Sequence, residues 1–239
     1  MPVFDVEADA RRAFAALRAG GIAIVPHSIG YAALGGSTEA LYRIFKTKNR
    51  ADSKLNAMIG NRAIHMEVHD CSTRGREVVE AITEDYGLPL GAIAPAHMDH
   101  PLIRALEPEM IPRSTRDGTV VMLMNAGAHH AALTALSHEH AVPLFGSSAN
   151  LSMGGTKFCV EDIEPEIIAI ADEVVDHGLQ PFHAYGQSST LLNVETLEIG
   201  RIGSCYEDIR YILARHFGHH IPPRPTEAAI RPAMPVVSA

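Results

Sequence analysis

Lys48-Asn49-Arg50 and Gly146-Ser147-Ser148-Ala149-Asn150-Leu151-Ser152 are the two most informative stretches of this chain. The first sets two cations one residue apart, just after a helical segment. The second is a run of small hydroxyl and amide residues directly after the apolar, strand-like Val142-Pro143-Leu144-Phe145. Lysine and arginine supply charge, while serine, asparagine and closely approaching backbone amides supply short directional hydrogen bonds. Together they read as two walls of a site for a phosphorylated ligand. Alone, each has an ordinary explanation. Cations at a helix end complement the helix dipole, and Ser-Ala-Asn also makes turns and caps.

Outward from these islands, residues 5–18 read as an amphipathic helix with Phe14 and Leu17 on one face. Gly20-Gly21 ends it, and residues 22–25 form a short apolar strand stopped by Pro26. A loop with Gly30, Gly35 and Gly36 follows. Residues 38–45 read as a helix capped by Ser37 or Thr38, and residues 55–59 as a strand. Residues 74–86 make a further amphipathic helix. The stretch 87–116 carries five prolines and is expected to be loop with short helices. Asp117-Gly118 turns into a strand at 119–124, and an alanine-rich helix over 130–139 leads to the second island. Beyond it lie a helix at 167–171, strands at 173–176 and 189–194, and a helix at 206–216. Short strands alternating with helices give an α/β fold around one sheet. From Gly218 onward five prolines and few apolar anchors predict a disordered tail, so the chain divides into a domain over 1–217 and a tail over 218–239.

Composition bounds the function. With 239 residues, 46% of them hydrophobic, the chain can bury a sizeable core. The formal net charge of −8 argues against the broad basic surface of a general nucleic-acid binder. It leaves room for a locally basic pocket, because attraction to a bound phosphate is short-ranged in salt. Three cysteines without close spacing (Cys71, Cys159, Cys205) predict neither a disulfide framework nor a structural zinc site, and fit a reducing cytoplasm. The first residues lack a signal-peptide pattern, and no apolar run reaches the ~18 residues of a membrane span. The fourteen histidines include His65-x-x-x-His69, His129-His130 and His138-x-His140. None completes a recognised metal motif, so, His27 apart, the histidines are expected at the surface, with no metal site.

The order of these pieces resembles the YrdC-like family, which includes threonylcarbamoyl-AMP synthases. Lys48-Asn49-Arg50 is similar to its early K-x-R motif and Ser148-Ala149-Asn150 to its late S-x-N motif. Residues 26–35 resemble its first strand-loop, Gly118-Thr119-Val120 its G-T-x strand, Ser189-Thr190 its late S-T motif, and Arg201-Ile202-Gly203 its R-x-G turn. The likeness covers residues 6–214. It implies a twisted mixed sheet flanked by helices with one large concave cavity. It also implies an enzyme that joins ATP, bicarbonate and an amine into a carbamoyl adenylate with release of pyrophosphate, Mg²⁺ assisting. In that scheme Lys48 and Arg50 are catalytic. Lys54, Ser148, Asn150, Ser189 and Arg201 hold the nucleotide and its phosphates.

The departures cluster. His27 and Ser28 stand where the family has threonine and aspartate, Leu123 where it has a strand arginine, and residues 51–55 keep one lysine of its proline-lysine run. In the family these pieces lie on the acceptor side, so His27 and Tyr31 are the candidate acceptor contacts and the amine need not be threonine. Small-molecule substrates and a downstream carbamoyl-transferring enzyme are the partners implied, with tRNA modification the family's usual destination. The alternative is a non-catalytic nucleotide-, adenylate- or RNA-binding module. Direct nucleic-acid binding is disfavoured by the acidic balance and by the absence of tryptophan.

Overall fold

The computed structural model describes residues 3–49 and 54–225. The chain opens with helix α1 (Val6–Arg18), whose N-cap Asp5 accepts a hydrogen bond from the Ala8 amide at 3.1 Å. Strands β1 (Ile22–His27) and β2 (Gly30–Gly35) form a two-residue hairpin that pairs His27 with Gly30. Helix α2 (Thr38–Thr47) is capped by Ser37, and β3 (Ala57–Ile59) follows. Helices α3 (Arg62–Val68) and α4 (Thr73–Glu80) come next, α4 widening into a π turn over Ala81–Asp85. Then come β4 (Leu90–Pro95), the one-turn helix α5 (Pro101–Arg104), β5 (Thr115–Arg116) and β6 (Thr119–Met124). The C-terminal half holds α6 (Ala128–Glu139), β7 (Phe145–Ser148), α7 (Pro165–Ile168) and β8 (Glu173–Val174). It closes with β9 (Leu191–Asn193), β10 (Ile199–Arg201) and α8 (Tyr206–Phe217).

The ten strands of the described residues join one mixed sheet in the order β10-β9-β4-β6-β3-β7-β2-β1-β8, with β5 paired to β6. The pairs β1/β8, β3/β6 and β4/β9 are parallel and the rest antiparallel. Helices cover both faces. Ile22 and Ile24 of β1 join the larger core beneath α2, α4 and α8, whereas Ala23 and Val25 join a smaller one beneath α1 and α6. That smaller cluster covers only part of its face. Its Ala32, Leu34, Ile59 and Leu123 also form part of the floor of the cavity described below.

The structure corrects several sequence expectations. Pro26 does not stop β1; the two-residue β8 pairs only Ala23 and Ile24, so Pro26 lies where β1 outruns its neighbour and needs no amide donor there. The glycine loop after it is largely strand β2, whose six positions are all buried. A strand buried on both faces shows no polar alternation. Likewise β4 crosses the stretch expected as loop and pairs with both β6 and β9. Short α3 was not anticipated either. At the C-terminus the expected tail is described to Pro225. The Tyr206 hydroxyl donates to the Pro222 carbonyl at 2.7 Å, and the Arg224 guanidinium donates to the Gly203 carbonyl at 2.7 Å. Residues beyond 225 lie outside the described part. No helix among the described residues is long and apolar enough to cross a membrane.

Candidate functional site

Helix α2 ends where its backbone turns. Lys48 is the C-cap, and Asn49 takes the left-handed conformation (φ 46°) that asparagine tolerates better than most residues. This turn buries the Lys48 side chain, which is 1% exposed, and directs its ammonium onto the Ser148 carbonyl at the end of β7. The Ser152 amide donates back to the Lys48 carbonyl at 3.1 Å. The two islands, a hundred residues apart, are therefore physically joined. Within the second, the Ser148 hydroxyl donates to the Asn150 side-chain oxygen at 2.5 Å, and the Asn150 amide group donates to the Leu151 carbonyl. Arg50 lies outside the described residues.

These residues rim a cavity of about 580 Å³ on the open face of the sheet. Its floor comes from alternate positions of successive strands: Ala32 and Leu34 on β2, Ile59 on β3, Gly91 and Ile93 on β4, Val121 and Leu123 on β6. The structure brings together Lys48, Lys54, Ser148, Asn150, Ser189, Arg201, His27 and Tyr31, every described candidate from the sequence. Arg201, at the end of β10, donates to the Ser189 carbonyl at 2.8 and 3.2 Å and to its hydroxyl at 3.3 Å. Though partly exposed, its guanidinium is desolvated enough to lower its pKa.

The two candidate acceptor residues differ in what they leave available. The Tyr31 hydroxyl donates to the Gly178 carbonyl at 2.9 Å and accepts from the His177 amide at 3.0 Å. It also accepts from the Gln180 side chain at 3.3 Å, and burial raises its pKa. Its oxygen is committed to the 176–180 loop. His27, by contrast, is 2% exposed and its Nε2 has no partner. Burial first, then the nearby His130 and His129, hold it neutral by pulling its pKa well down. Gly30, opposite His27 in the hairpin, has φ +110°, and a Cβ there would stand 2.4 Å from Thr156 Cγ2 and 2.9 Å from the Lys157 carbonyl.

Sequence reasoning missed several lining residues. Arg116 and Thr119 face the cavity as a cross-strand pair, and the Asp117-Gly118 turn was the signal for that pairing. Asn56 is fully buried with an unpartnered side-chain oxygen, and Ser147 and Ser152 have unpartnered buried hydroxyls. All three line the cavity. The histidines expected at the surface are also corrected: His65, His69, His129 and His130 are buried. Sequence gave no hint of this because imidazole in an apolar run looks the same inside or out.

A mixed sheet with a large cavity on its open face, rimmed by cations and small polar residues, defines an α/β protein built around a small-molecule pocket. A family model, Sua5_yciO_yrdC, described as telomere recombination, matches residues 15–203. The chain belongs to that family. No curated protein sequence matches it. Among solved structures it is similar to P. abyssi Sua5 complexed with L-threonine, at TM-score 0.62 and 19% identity over 78% of this chain and 51% of that one. E. coli YciO matches at TM-score 0.60 and 17% identity over 83% of this chain and 92% of that one. HypF in its phosphate- and nucleotide-bound form matches at TM-score 0.61 and 16% identity, over 86% of this chain and 30% of that one. At such identities the likeness establishes the fold, and the chain spans about half the length of the Sua5 it matches.

Proposed function

We propose that the cavity binds ATP with a carbamate and joins them as a carbamoyl adenylate, releasing pyrophosphate. The observation that carries this is the charge of the wall. Lys48, Lys54, Arg116 and Arg201 line the cavity, and no aspartate or glutamate does among the described residues. A polyphosphate suits such a wall, and a volume of about 580 Å³ suits a nucleotide with a small co-substrate. The unpartnered polar atoms of His27, Asn56, Ser147 and Ser152 add donors and acceptors that the protein itself leaves unused.

In this reading an amine and bicarbonate condense to a carbamate and water. A carbamate oxygen then attacks the α-phosphorus as its bond to the bridging oxygen of pyrophosphate breaks. The chain's task is positioning and charge stabilisation. Lys48 and Arg50 hold phosphate and carbamate oxygens, a phosphate oxygen competing with the Ser148 carbonyl for the Lys48 ammonium. Ser148 and Asn150 donate to phosphate, Ser189 and Arg201 form the nucleotide wall, and Lys54 adds a phosphate contact. Mg²⁺ would arrive on the phosphates and neutralise their charge, since the lining offers it neutral serine and asparagine oxygens but no carboxylate.

Threonine is one acceptor this supports, because the similar P. abyssi Sua5 was solved with L-threonine. Leu123 and His27 in the acceptor wall favour a less carboxylate-dependent amine equally well. Transfer of the carbamoyl group to tRNA or to another acceptor, by a second enzyme, completes the proposal. The test is a pyrophosphate-release screen over amino acids and amines with ATP and bicarbonate. One amine should support release, and Lys48→Ala or Arg50→Ala should abolish it. Nucleotide affinity without release for any amine would replace this reading with a non-catalytic nucleotide binder.

A further inference from the structure

Three potential metal ligands converge away from the cavity, at the junction of α3 and α4. His65 sits in the last turn of α3 and His69 is its C-cap, with extended backbone (ψ 128°) that ends the helix. Cys71 follows two residues later. The Nδ1 atoms of the two rings are 2.9 Å apart, and one ligand atom from each of the three residues lies within 4.8 Å of the others. His65 is 2% exposed, His69 0% and Cys71 7%. None of the three lines the cavity.

A hydrogen bond between the two imidazoles accounts for two ring nitrogens at most. That bond orders the two rings alone, and their common approach to the Cys71 thiol is left unexplained by it. Polar side chains buried in this way ordinarily find partners. We propose that His65, His69 and Cys71 form a structural site for a single borderline or soft cation, Zn²⁺ in the first instance. The donor set is the soft-plus-imidazole kind that selects zinc or copper(I) over magnesium or calcium.

The geometry is close to what zinc needs. Two imidazole nitrogens at about 2.05 Å from a tetrahedral ion stand about 3.3 Å apart, and a thiolate at about 2.3 Å stands about 3.6 Å from each. The rings therefore need to open by about 0.4 Å, and the sulfur to close by no more than about 1.2 Å. Binding replaces the thiol proton: Cys–SH and Zn²⁺ give the zinc thiolate and a proton released to solvent. The Glu195 carboxylate, which accepts from the Ser72 amide at 2.9 Å, lies near that thiol. Thiolate and carboxylate together neutralise the dication, which matters because Arg62 and Arg76 stand near His65. The ion would pin the α3–α4 turn to the sheet, where His69 already bridges to Ala96 and the Asp70 amide donates to the Pro95 carbonyl at 2.8 Å. The spacing H-x-x-x-H-x-C matches no recurrent zinc motif, so only the fold reveals the convergence.

The test uses metal-stripped, full-length protein without a histidine tag. Zn²⁺ is titrated against a chromophoric chelator, and Co²⁺ is substituted for absorption spectroscopy. One equivalent should bind far more tightly than the remaining histidines bind, and Cys71→Ser should weaken it roughly tenfold or more. His138→Gln, at a surface histidine, should leave it unchanged. The cobalt protein should show a thiolate charge-transfer band, a wild-type readout that stands even where Cys71→Ser fails to fold. Absence of a tight equivalent, a cobalt spectrum without thiolate character, or unchanged affinity in a folded Cys71→Ser variant overturns the proposal. None of these outcomes depends on whether the cavity makes an adenylate.

Discussion

Acid should destabilise this protein well before its carboxylates protonate, because the fold buries neutral imidazoles. His130 is 1% exposed, and its Nε2 donates to the Leu123 carbonyl at 3.1 Å. Burial pulls its pKa from 6.5 down to about 4. His129 is lowered likewise to about 4, by burial first and then by neighbouring His177. The unfolded chain takes up both protons near pH 6.5, and the folded chain does so only near pH 4. Between those values the unfolded state binds more protons, so stability is full above about pH 6.5 and falls as the pH drops toward 4. At pH 5.5 each histidine differs by about 0.9 proton between the two states. The pair then gives a slope of about 2 kcal/mol per pH unit. By pH 4 the accumulated loss is about 6 kcal/mol, comparable with the ~5–15 kcal/mol stability of an ordinary domain. Buried His27 acts in the same direction. The assay is urea unfolding at half-unit steps from pH 7 to 5, at constant ionic strength, analysed by linear extrapolation. His130→Gln keeps a donor for the Leu123 carbonyl and should remove about half of the pair's slope. A wild-type slope below about 1 kcal/mol per unit across pH 6 to 5 would refute the reasoning.

Arg201→Ala frees the Ser189 carbonyl that it now anchors. ATP affinity by calorimetry should drop about tenfold, while thermal stability moves little because the guanidinium is partly exposed. Tyr31→Phe removes the hydroxyl that holds the 176–180 loop. It should cost about 1–3 kcal/mol in chemical denaturation and speed amide exchange at His177, with pyrophosphate release largely retained. Gly36→Ala places a Cβ 1.7 Å from the Leu17 carbonyl. That forces α1 off the sheet, and a loss of about 3 kcal/mol or more is expected in the same denaturation assay.

What sequence revealed and what it hid follow from local physics. Helices α1, α2, α4 and α8 were legible because each has one buried stripe and a recognisable stop or cap; Asp5 and Ser37 both accept the amide three residues on. Strand β6 was legible from the Asp-Gly turn before it. Strands β2 and β4 were not. β2 is buried on both faces, and β4 carries Gly91 and Pro95 in a proline-dense stretch. What makes them strands is pairing with residues far along the chain, as in Gly91 with both Leu123 and Leu191. The site was legible at Lys48, Ser148 and Arg201 through motif order. Asn56 and Arg116 stayed hidden because neither sits in a motif, and only the sheet carries them to the same cavity.

The sequence's net charge of −8 and the cavity's cationic wall look contradictory, and the fold resolves them. Acidic residues are placed elsewhere: Asp9 pairs with Arg12 at 2.7 Å, Glu173 with Arg12 at 3.3 Å, and Glu207 with Arg210 at 2.7 Å. Glu164, next to the second island, is engaged by Lys157 at 3.0 Å and by the Leu151 amide at 3.2 Å. Its charge is thereby held by its own partners. Fields from exposed pairs fade over a Debye length of about 8 Å in physiological salt. Inside a concave, partly desolvated pocket the attraction of Lys48 and Arg201 for an anion is screened far less. Overall charge therefore governs which large polyanions the surface repels, and the lining governs which small anion the cavity admits. An acidic balance overall and a cation-lined pocket are compatible in one chain. Under the proposed function the two features are complementary, the acidic balance discouraging RNA from a pocket meant for a nucleotide.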